Sequence, residues 1–164
     1  GLQADGVVLS NPALHQAFKV PSWKIVGARV LSRVLPQVSL PTGLEADQLS
    51  TNSEANADYA ADPLIFSGGT TRWGWEYICA QQALEDATLQ TDVPLLLLLG
   101  SADPIIDASF TQRWIARSNG LSLTVRNYPN LMHELSNEPT VERERVFEDL
   151  IQWLLERVAS AAAD

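Results

Sequence analysis

An aspartate and a histidine in the second half of the chain are the residues best placed to carry chemistry. Asp103 ends the segment Gly-Ser-Ala-Asp that follows the apolar run 93–99, and His133 follows the alternating run 121–128. Residues just past the carboxyl ends of neighbouring parallel strands meet at one edge of a sheet. There, a carboxylate would accept the imidazole Nδ1 proton and leave Nε2 to take a proton from a hydroxyl. The pair therefore predicts a general base with its orienting acid.

The nucleophile that such a pair would activate has no evident place in the sequence. No Gly-x-Ser-x-Gly occurs in the 164 residues. Ser10 ends an apolar run but lacks the glycines that permit a sharp elbow, Ser67 has no strand before it, and Ser101 adjoins the acid. A base and an acid without a nucleophile and an oxyanion hole supply little rate. The sequence thus predicts two members of a three-membered site.

Other polar residues near these runs have competing interpretations. Asp107 is the alternative acid, but it lies further from the strand end and suits the N-cap of a helix. Glu134 and Glu138 follow the histidine, and loop hydrogen bonding explains them better than catalysis does. His15 either borders the pocket or is a surface or capping histidine. No metal site is predicted, because two distant histidines and the single Cys79 lack ligand spacing.

Alternating strand-like and helix-like segments define the frame that would position the pair. Apolar runs without alternation are typical of strands buried on both faces, and alternating runs suit a sheet edge. The predicted strands are 6–10, 93–99 and 121–128, and the predicted helices are 22–35, 107–119 and the segment after Pro139. Strands separated by helices at these lengths predict a parallel α/β sheet with right-handed connections.

The stretch between the first two predicted strands is too long for a single crossover. It contains a Pro/Ser/Thr/Gly-rich segment and two nearby tryptophans, Trp73 and Trp75, but no strong strand signal. We divide the chain into a core strand and turn at 1–14, a helical cap or lid insertion with its return helix at 15–87, and a C-terminal α/β core at 88–164. The insertion is interpreted as a lid over an apolar substrate. A helical excursion that only packs is the alternative.

Composition bounds the class of protein and its partners. With 46% hydrophobic and 19% charged residues, the chain has a globular composition. A net charge of −9 argues against nucleic-acid binding, which needs clustered Lys and Arg. The longest apolar run falls short of the ~20 residues that span a membrane. With no visible signal peptide, we expect a cytoplasmic protein without an integral membrane segment.

Several segments, in register, resemble the C-terminal half of the α/β-hydrolase group that includes monoacylglycerol lipases and lysophospholipases. They are the strand and turn 6–14, the cap segments 47–50 and 59–64, the acid loop 94–107, the histidine loop 133–138 and the closing helix 146–154. The resemblance implies the C-terminal part of an α/β-hydrolase fold, with parallel strands, flanking helices and a helical cap. It also implies Asp103 as triad acid and His133 as base in carboxylic ester hydrolysis through an acyl-enzyme, without a cofactor.

The resemblance further implies that the nucleophile and oxyanion donors lie upstream, so we expect this chain alone to be inactive. A separate N-terminal half, or self-association along the open edge of strand 6–10, would complete the sheet. The implied substrate is an ester or lipid-like small molecule: a monoacylglycerol, a lysophospholipid or a short acyl ester. By position, the candidate pocket-wall residues are Leu14, Phe18, Trp73 and Leu131. The alternatives are a non-catalytic binding or assembly module, and peptidase or thioesterase chemistry on the same triad.

Overall fold

A three-stranded parallel sheet forms the centre of the fold. The computed structural model describes residues 4–118 and 122–161. In chain order its elements are β1 (Val7–Ser10), α1 (Ser22–Val34), β2 (Ser39–Pro41), α2 (Ser53–Ala61), β3 (Gly68–Thr70), α3 (Thr71–Glu85), β4 (Leu95–Gly100), α4 (Ala108–Ala116), β5 (Leu123–Tyr128) and α5 (Thr140–Ala161). Short 3₁₀ turns at Ala46–Gln48 and Leu135–Asn137 precede α2 and α5.

The strand order β1-β4-β5 places the most apolar strand at the centre. Leu97 of β4 is in register with Leu9 of β1 on one side and with Val125 of β5 on the other, and both pairings are parallel. Every residue of β4 is buried. The predicted parallel sheet is confirmed, and so is the predicted position of the alternating strand at an edge.

Helices cover both faces of the sheet because successive β4 side chains point to opposite faces. Leu96 and Leu98 pack with Val146 and Trp153 of α5 on one face. The opposite face has a larger set of apolar side chains from β4, α3 and α4. This set includes Leu84, Leu97, Leu99, Trp114 and Ile115. The result is a three-layer α/β arrangement whose strand ends share one edge.

The predicted element boundaries agree closely with the observed ones where the structure describes them. Helix 22–35 corresponds to α1, and the helix after Pro139 begins at Thr140. Helix 107–119 is observed as α4, ending at Ala116; its predicted stop at Asn119-Gly120 lies outside the described residues. Strand 121–128 begins at Leu123, and position 121 also lies outside them.

Residues 15–87 contain two short strands that the sequence did not predict. β2 and β3 pair antiparallel, with Ser39 opposite Thr70 and Pro41 opposite Gly68. Each strand has three residues, and its proline or glycines do not favour strand formation. The pair brings the C-terminal end of α1 next to the N-terminal end of α3. There the Thr71 hydroxyl, in the first residue of α3, lies within hydrogen-bond distance of the carbonyls of Leu31 and Leu35.

The side of the sheet formed by β1 and α5 is apolar and open. Within the described residues β1 pairs only with β4, so its other edge has no partner strand. On α5 the outward side chains Ile151, Leu155 and Val158 are 54%, 64% and 67% exposed. None of the described helices is long and apolar enough to cross a membrane.

Candidate active site

Asp103 and His133 are hydrogen-bonded at the carboxyl-end edge of the sheet. The His133 Nδ1 and Asp103 Oδ2 atoms are 2.8 Å apart. The side chain of Asp103 is 1% exposed and that of His133 is 26% exposed. Because a carboxylate only accepts hydrogen bonds, Nδ1 carries the proton in this arrangement, and Nε2 of the neutral ring has a free lone pair. The imidazole is therefore held in the tautomer of a general base, on a side chain that is partly exposed.

Backbone N–H groups in the loop after β4 orient the Asp103 carboxylate. Its second oxygen, Oδ1, accepts hydrogen bonds from the backbone N–H of Ile105 at 2.8 Å and of Ile106 at 2.9 Å. Both isoleucines are buried, so the loop is anchored by apolar packing. One oxygen thus faces the chain's own backbone, and the other is aimed at the histidine.

Asp107, the alternative acid, caps α4. Its Oδ1 accepts hydrogen bonds from the Phe110 N–H at 2.9 Å and the Ser109 hydroxyl at 2.6 Å. Burial alone would raise the pKa of this carboxyl, but these hydrogen bonds and the nearby Arg113 charge outweigh it and lower the pKa. Asp107 therefore has the cap role that the sequence favoured, and Asp103 makes the contact with the imidazole.

Asn11, at the end of β1, fixes the backbone of the histidine loop. Its Nδ2 donates to the carbonyls of Met132 at 2.9 Å and of His133 at 2.7 Å, and its Oδ1 accepts from Gly100 N–H at 2.8 Å. The residue is 3% exposed and has a φ of 37°, a left-handed conformation that asparagine tolerates better than most residues. Sequence analysis placed Asn11 only within the strand and turn 6–14 and missed this role.

Gly100, the last residue of β4, allows the histidine loop to approach the sheet. A Cβ atom at this position would overlap the carbonyl oxygens of Leu131 and Met132. Those atoms belong to the backbone and have no flexible end that could move aside. The absence of a side chain is therefore what lets the residues before His133 lie against the strand end.

The remaining candidate residues have different positions. His15 Nδ1 is hydrogen-bonded to the carbonyl of Gln16, and its ring stacks on Phe110 with centroids 4.6 Å apart. The Ser101 hydroxyl accepts a hydrogen bond from Asn130 N–H. Within residues 4–118 and 122–160, no serine hydroxyl lies within hydrogen-bond distance of the His133 ring. The same range contains no group of three acidic, histidine or cysteine side chains that could hold a metal ion.

The four candidate pocket-wall residues do not share one packing cluster. Leu14 packs with the apolar side chains on the α4 face, and Leu131 is buried on the α5 face. Phe18 and Trp73 are each about half exposed, and Trp73 stacks on Tyr77 with ring centroids 5.4 Å apart. Their substrate contacts stay a prediction.

Comparison with known proteins identifies the class to which this fold and edge site belong. In the archaeon Paleococcus ferrophilus, the structure of a monoacylglycerol lipase is 30% identical and superposes with a TM-score of 0.83 over 93% of this chain and 59% of that chain. A variant of monoglyceride lipase from Saccharomyces cerevisiae, 20% identical, has a TM-score of 0.80 over 93% of this chain and 56% of its own. The chain thus has part of the α/β-hydrolase fold, as the sequence resemblance implied.

Sequence comparison defines the family. Residues 2–140 match the family model described as "Serine aminopeptidase, S33", and the chain belongs to that family. Human monoglyceride lipase is 31% identical over 156 residues, which are 94% of this chain and 50% of that protein. Monoacylglycerol lipase of Mycolicibacterium smegmatis is 28% identical over 155 residues, 92% of this chain and 53% of that protein. The chain spans about half the length of the curated relatives it matches.

Proposed function

We propose that the complete protein is a carboxylic ester hydrolase that acts on monoacylglycerol- or lysophospholipid-like esters. The observation that carries the proposal is the 2.8 Å hydrogen bond between His133 Nδ1 and Asp103 Oδ2 at the strand-end edge. The substrate class is supported by relatives named monoglyceride lipase and, in Bacillus subtilis, phospholipase YtpA, which is 27% identical.

In this mechanism His133 serves as general base and then as general acid. Its Nε2 removes the proton from a serine hydroxyl while the serine oxygen bonds to the ester carbonyl carbon. Asp103 keeps the ring oriented and stabilises the imidazolium. The alcohol leaves with the proton returned by Nε2, and an acyl-serine remains. A water molecule, deprotonated by the same nitrogen, then bonds to the acyl carbon, the bond to the serine oxygen breaks, and Nε2 returns the proton to that oxygen as the acid is released.

The serine and the oxyanion donors belong, in this proposal, to a polypeptide that completes the sheet at β1. Three features support it: the chain lacks a Gly-x-Ser-x-Gly, it spans half of its relatives, and within the described residues β1 pairs along one edge only. The apolar side chains of Ile151, Leu155 and Val158 also form an exposed stripe on α5, which we call the α5 stripe. Apolar surface of this kind is typical of an interface.

A two-part assay tests the proposal. The 164-residue chain is assayed with p-nitrophenyl butyrate alone and after completion by polypeptide that continues upstream of Gly1 or by a separate N-terminal half. We expect turnover and fluorophosphonate labelling of a serine only in the completed protein, and loss of both with His133→Ala. Turnover by the isolated chain would contradict the external nucleophile. An inert completed protein would contradict the hydrolase and favour a binding or assembly module.

A peptidase is the second candidate, because the matching family model is described as a serine aminopeptidase. The same base and acid serve amide hydrolysis, so the pair itself does not discriminate between the two. A panel of monoacylglycerols, lysophospholipids, thioesters and aminoacyl p-nitroanilides on the completed protein separates them. A higher kcat/KM for the anilides would replace the lipase proposal.

A further inference from the structure

Glu138, five residues after His133, is a fully buried carboxylate that links two distant segments. It is 0% exposed, and within the described residues it forms no ion pair. Its Oε1 accepts a hydrogen bond from the Met132 N–H at 2.6 Å. Its Oε2 accepts from the Thr51 N–H at 3.0 Å and from the Thr51 hydroxyl. Oε1 thus binds the segment before His133, and Oε2 binds the segment around Thr51.

The first segment is the peptide immediately before His133, and the second is residues 49–51, which we call the cap strap. The strap lies between the 3₁₀ turn at Ala46–Gln48 and α2. Two further bonds join the segments: Glu134 N–H donates to the Leu49 carbonyl at 2.7 Å, and the Ser50 hydroxyl donates to the Asn137 carbonyl at 2.9 Å. The insertion is therefore fastened to the histidine loop at this point.

A buried carboxylate without a cation needs every one of these donors, because an unmade hydrogen bond there has no water to replace it. The reverse also holds: the Met132 N–H, one peptide before His133, depends on Glu138. Asn11 holds the carbonyls of Met132 and His133 from the sheet side, and Glu138 holds the Met132 N–H from the cap side. The two anchors together fix the peptide that sets the imidazole direction.

We propose that Glu138 is a positioning residue that couples the cap strap to the histidine loop and so holds the His133 imidazole on Asp103. Its effect on turnover rests on the proposed function, whereas its effect on the imidazole does not. The coupling uses both carboxyl oxygens. Glu138→Gln has one amide oxygen and one NH₂ group, so it cannot accept from both the Met132 N–H and the Thr51 N–H and must lose one of these bonds.

The first measurement reads the imidazole without any need for activity. The 164 residues contain two histidines, so a His15→Gln background leaves His133 as their single imidazole. We expect the far-downfield Nδ1–H resonance of a carboxylate-bonded histidine in this 164-residue chain, and its loss or fast exchange with Glu138→Gln. Glu144→Gln, which removes an equal charge from an exposed position of α5, is the control and keeps the resonance.

The second measurement is kinetic and uses the completed protein. Displacement of a reacting group by about 1 Å costs about 100-fold in rate, so Glu138→Gln should lower kcat by about that factor and leave KM for p-nitrophenyl butyrate nearly unchanged. Thr51→Val removes one donor to Oε2 and should lower kcat less. In the double variant the loss caused by Thr51→Val should be smaller than in the otherwise unaltered protein, because both substitutions weaken the same contact.

The outcomes separate this proposal from the proposed function. An unchanged resonance and kcat in Glu138→Gln, with only a lower melting temperature, would reduce Glu138 to a structural residue and overturn the coupling. A lost resonance in the 164-residue chain, together with a completed protein that hydrolyses nothing, would support the coupling and overturn the hydrolase. If Glu138→Gln fails to fold, Thr51→Val and Ser50→Ala carry the same test from the strap side.

Discussion

The strand-end edge and the α5–β1 side of this molecule differ in whether their side chains have partners within the chain. At the edge the buried polar groups of Asn11, Asp103 and Glu138 all have hydrogen-bond partners within the chain. On the other side, Leu155 and Val158 stay largely exposed near β1, which within the described residues pairs along one edge only. The difference indicates that contacts within this chain hold Asp103 and His133 together, whereas the described residues leave the apolar side uncovered.

Energies of the two sides support this division. A buried polar group that loses its partner costs about 1–3 kcal/mol, so the edge network strongly resists rearrangement. Covering a Leu, Ile or Val side chain stabilises by about 1.5–3 kcal/mol each, and α5 offers several. We therefore expect single substitutions at the edge to lower activity, and single substitutions on the exposed face of α5 to weaken association.

The largest effect is expected from Asp103→Asn in the completed protein. An amide in place of the Oδ2 carboxylate oxygen favours the wrong imidazole tautomer, which lowers kcat by about 10⁴-fold in enzymes that use such a triad. The measurement is kcat for p-nitrophenyl butyrate, with circular dichroism to show that the fold is retained. Asp107→Asn is the matched control, because asparagine also caps helices well, and it should leave kcat unchanged. Equal losses in both variants would contradict the assignment of Asp103.

The site pair could be predicted from sequence because its signals are local. Asp103 follows the apolar run of β4 after a short loop. Asp107 lies three residues before Phe110 and accepts a hydrogen bond from the Phe110 N–H. Strand ends and caps are read from neighbouring residues. The prediction that Asp103 and His133 meet needed only the further rule that parallel strands end at one edge.

The supports of the site could not be predicted in this way, because their partners are far apart in sequence. Asn11 bonds to Met132 across 121 positions, and Glu138 bonds to Ser50 and Thr51 across 88 and 87. Nothing in the residues beside Glu138 distinguishes a buried anchor from a solvated loop carboxylate. The apolar residues of α5 show a similar limit: Phe147 and Ile151 lie at helical spacing but are exposed, whereas Val146 and Trp153 fill the core.

The apolar side provides the second prediction, made on Leu155. Leu155→Glu places a charge in the α5 stripe, and loss of apolar burial there should weaken completion or self-association by about 10–100-fold, since 1.4 kcal/mol is tenfold in affinity. Sedimentation and titration of the completing half measure the change. Val141→Glu, at an apolar position that is 75% exposed at the start of α5 but outside the stripe, is the control. If both variants associate like the unaltered chain, the α5 stripe is not the interface.

The smallest effect is expected from Asp107→Ala, which removes a helix cap without touching the imidazole. The lost acceptor for the Phe110 N–H should lower the free energy of unfolding by about 1 kcal/mol and leave kcat unchanged. Folding lowers the pKa of the Asp107 carboxyl below its ordinary value of 3.8, so the charged form stabilises the fold above that pH. That contribution is lost as the pH falls through the folded pKa. The stability gap between the unaltered chain and Asp107→Ala, measured by urea unfolding, should therefore narrow from pH 5 towards lower pH. A gap that widens on acidification would mean that the carboxylate is not stabilised by its cap contacts, and the contrast between Asp103 and Asp107 would need another explanation.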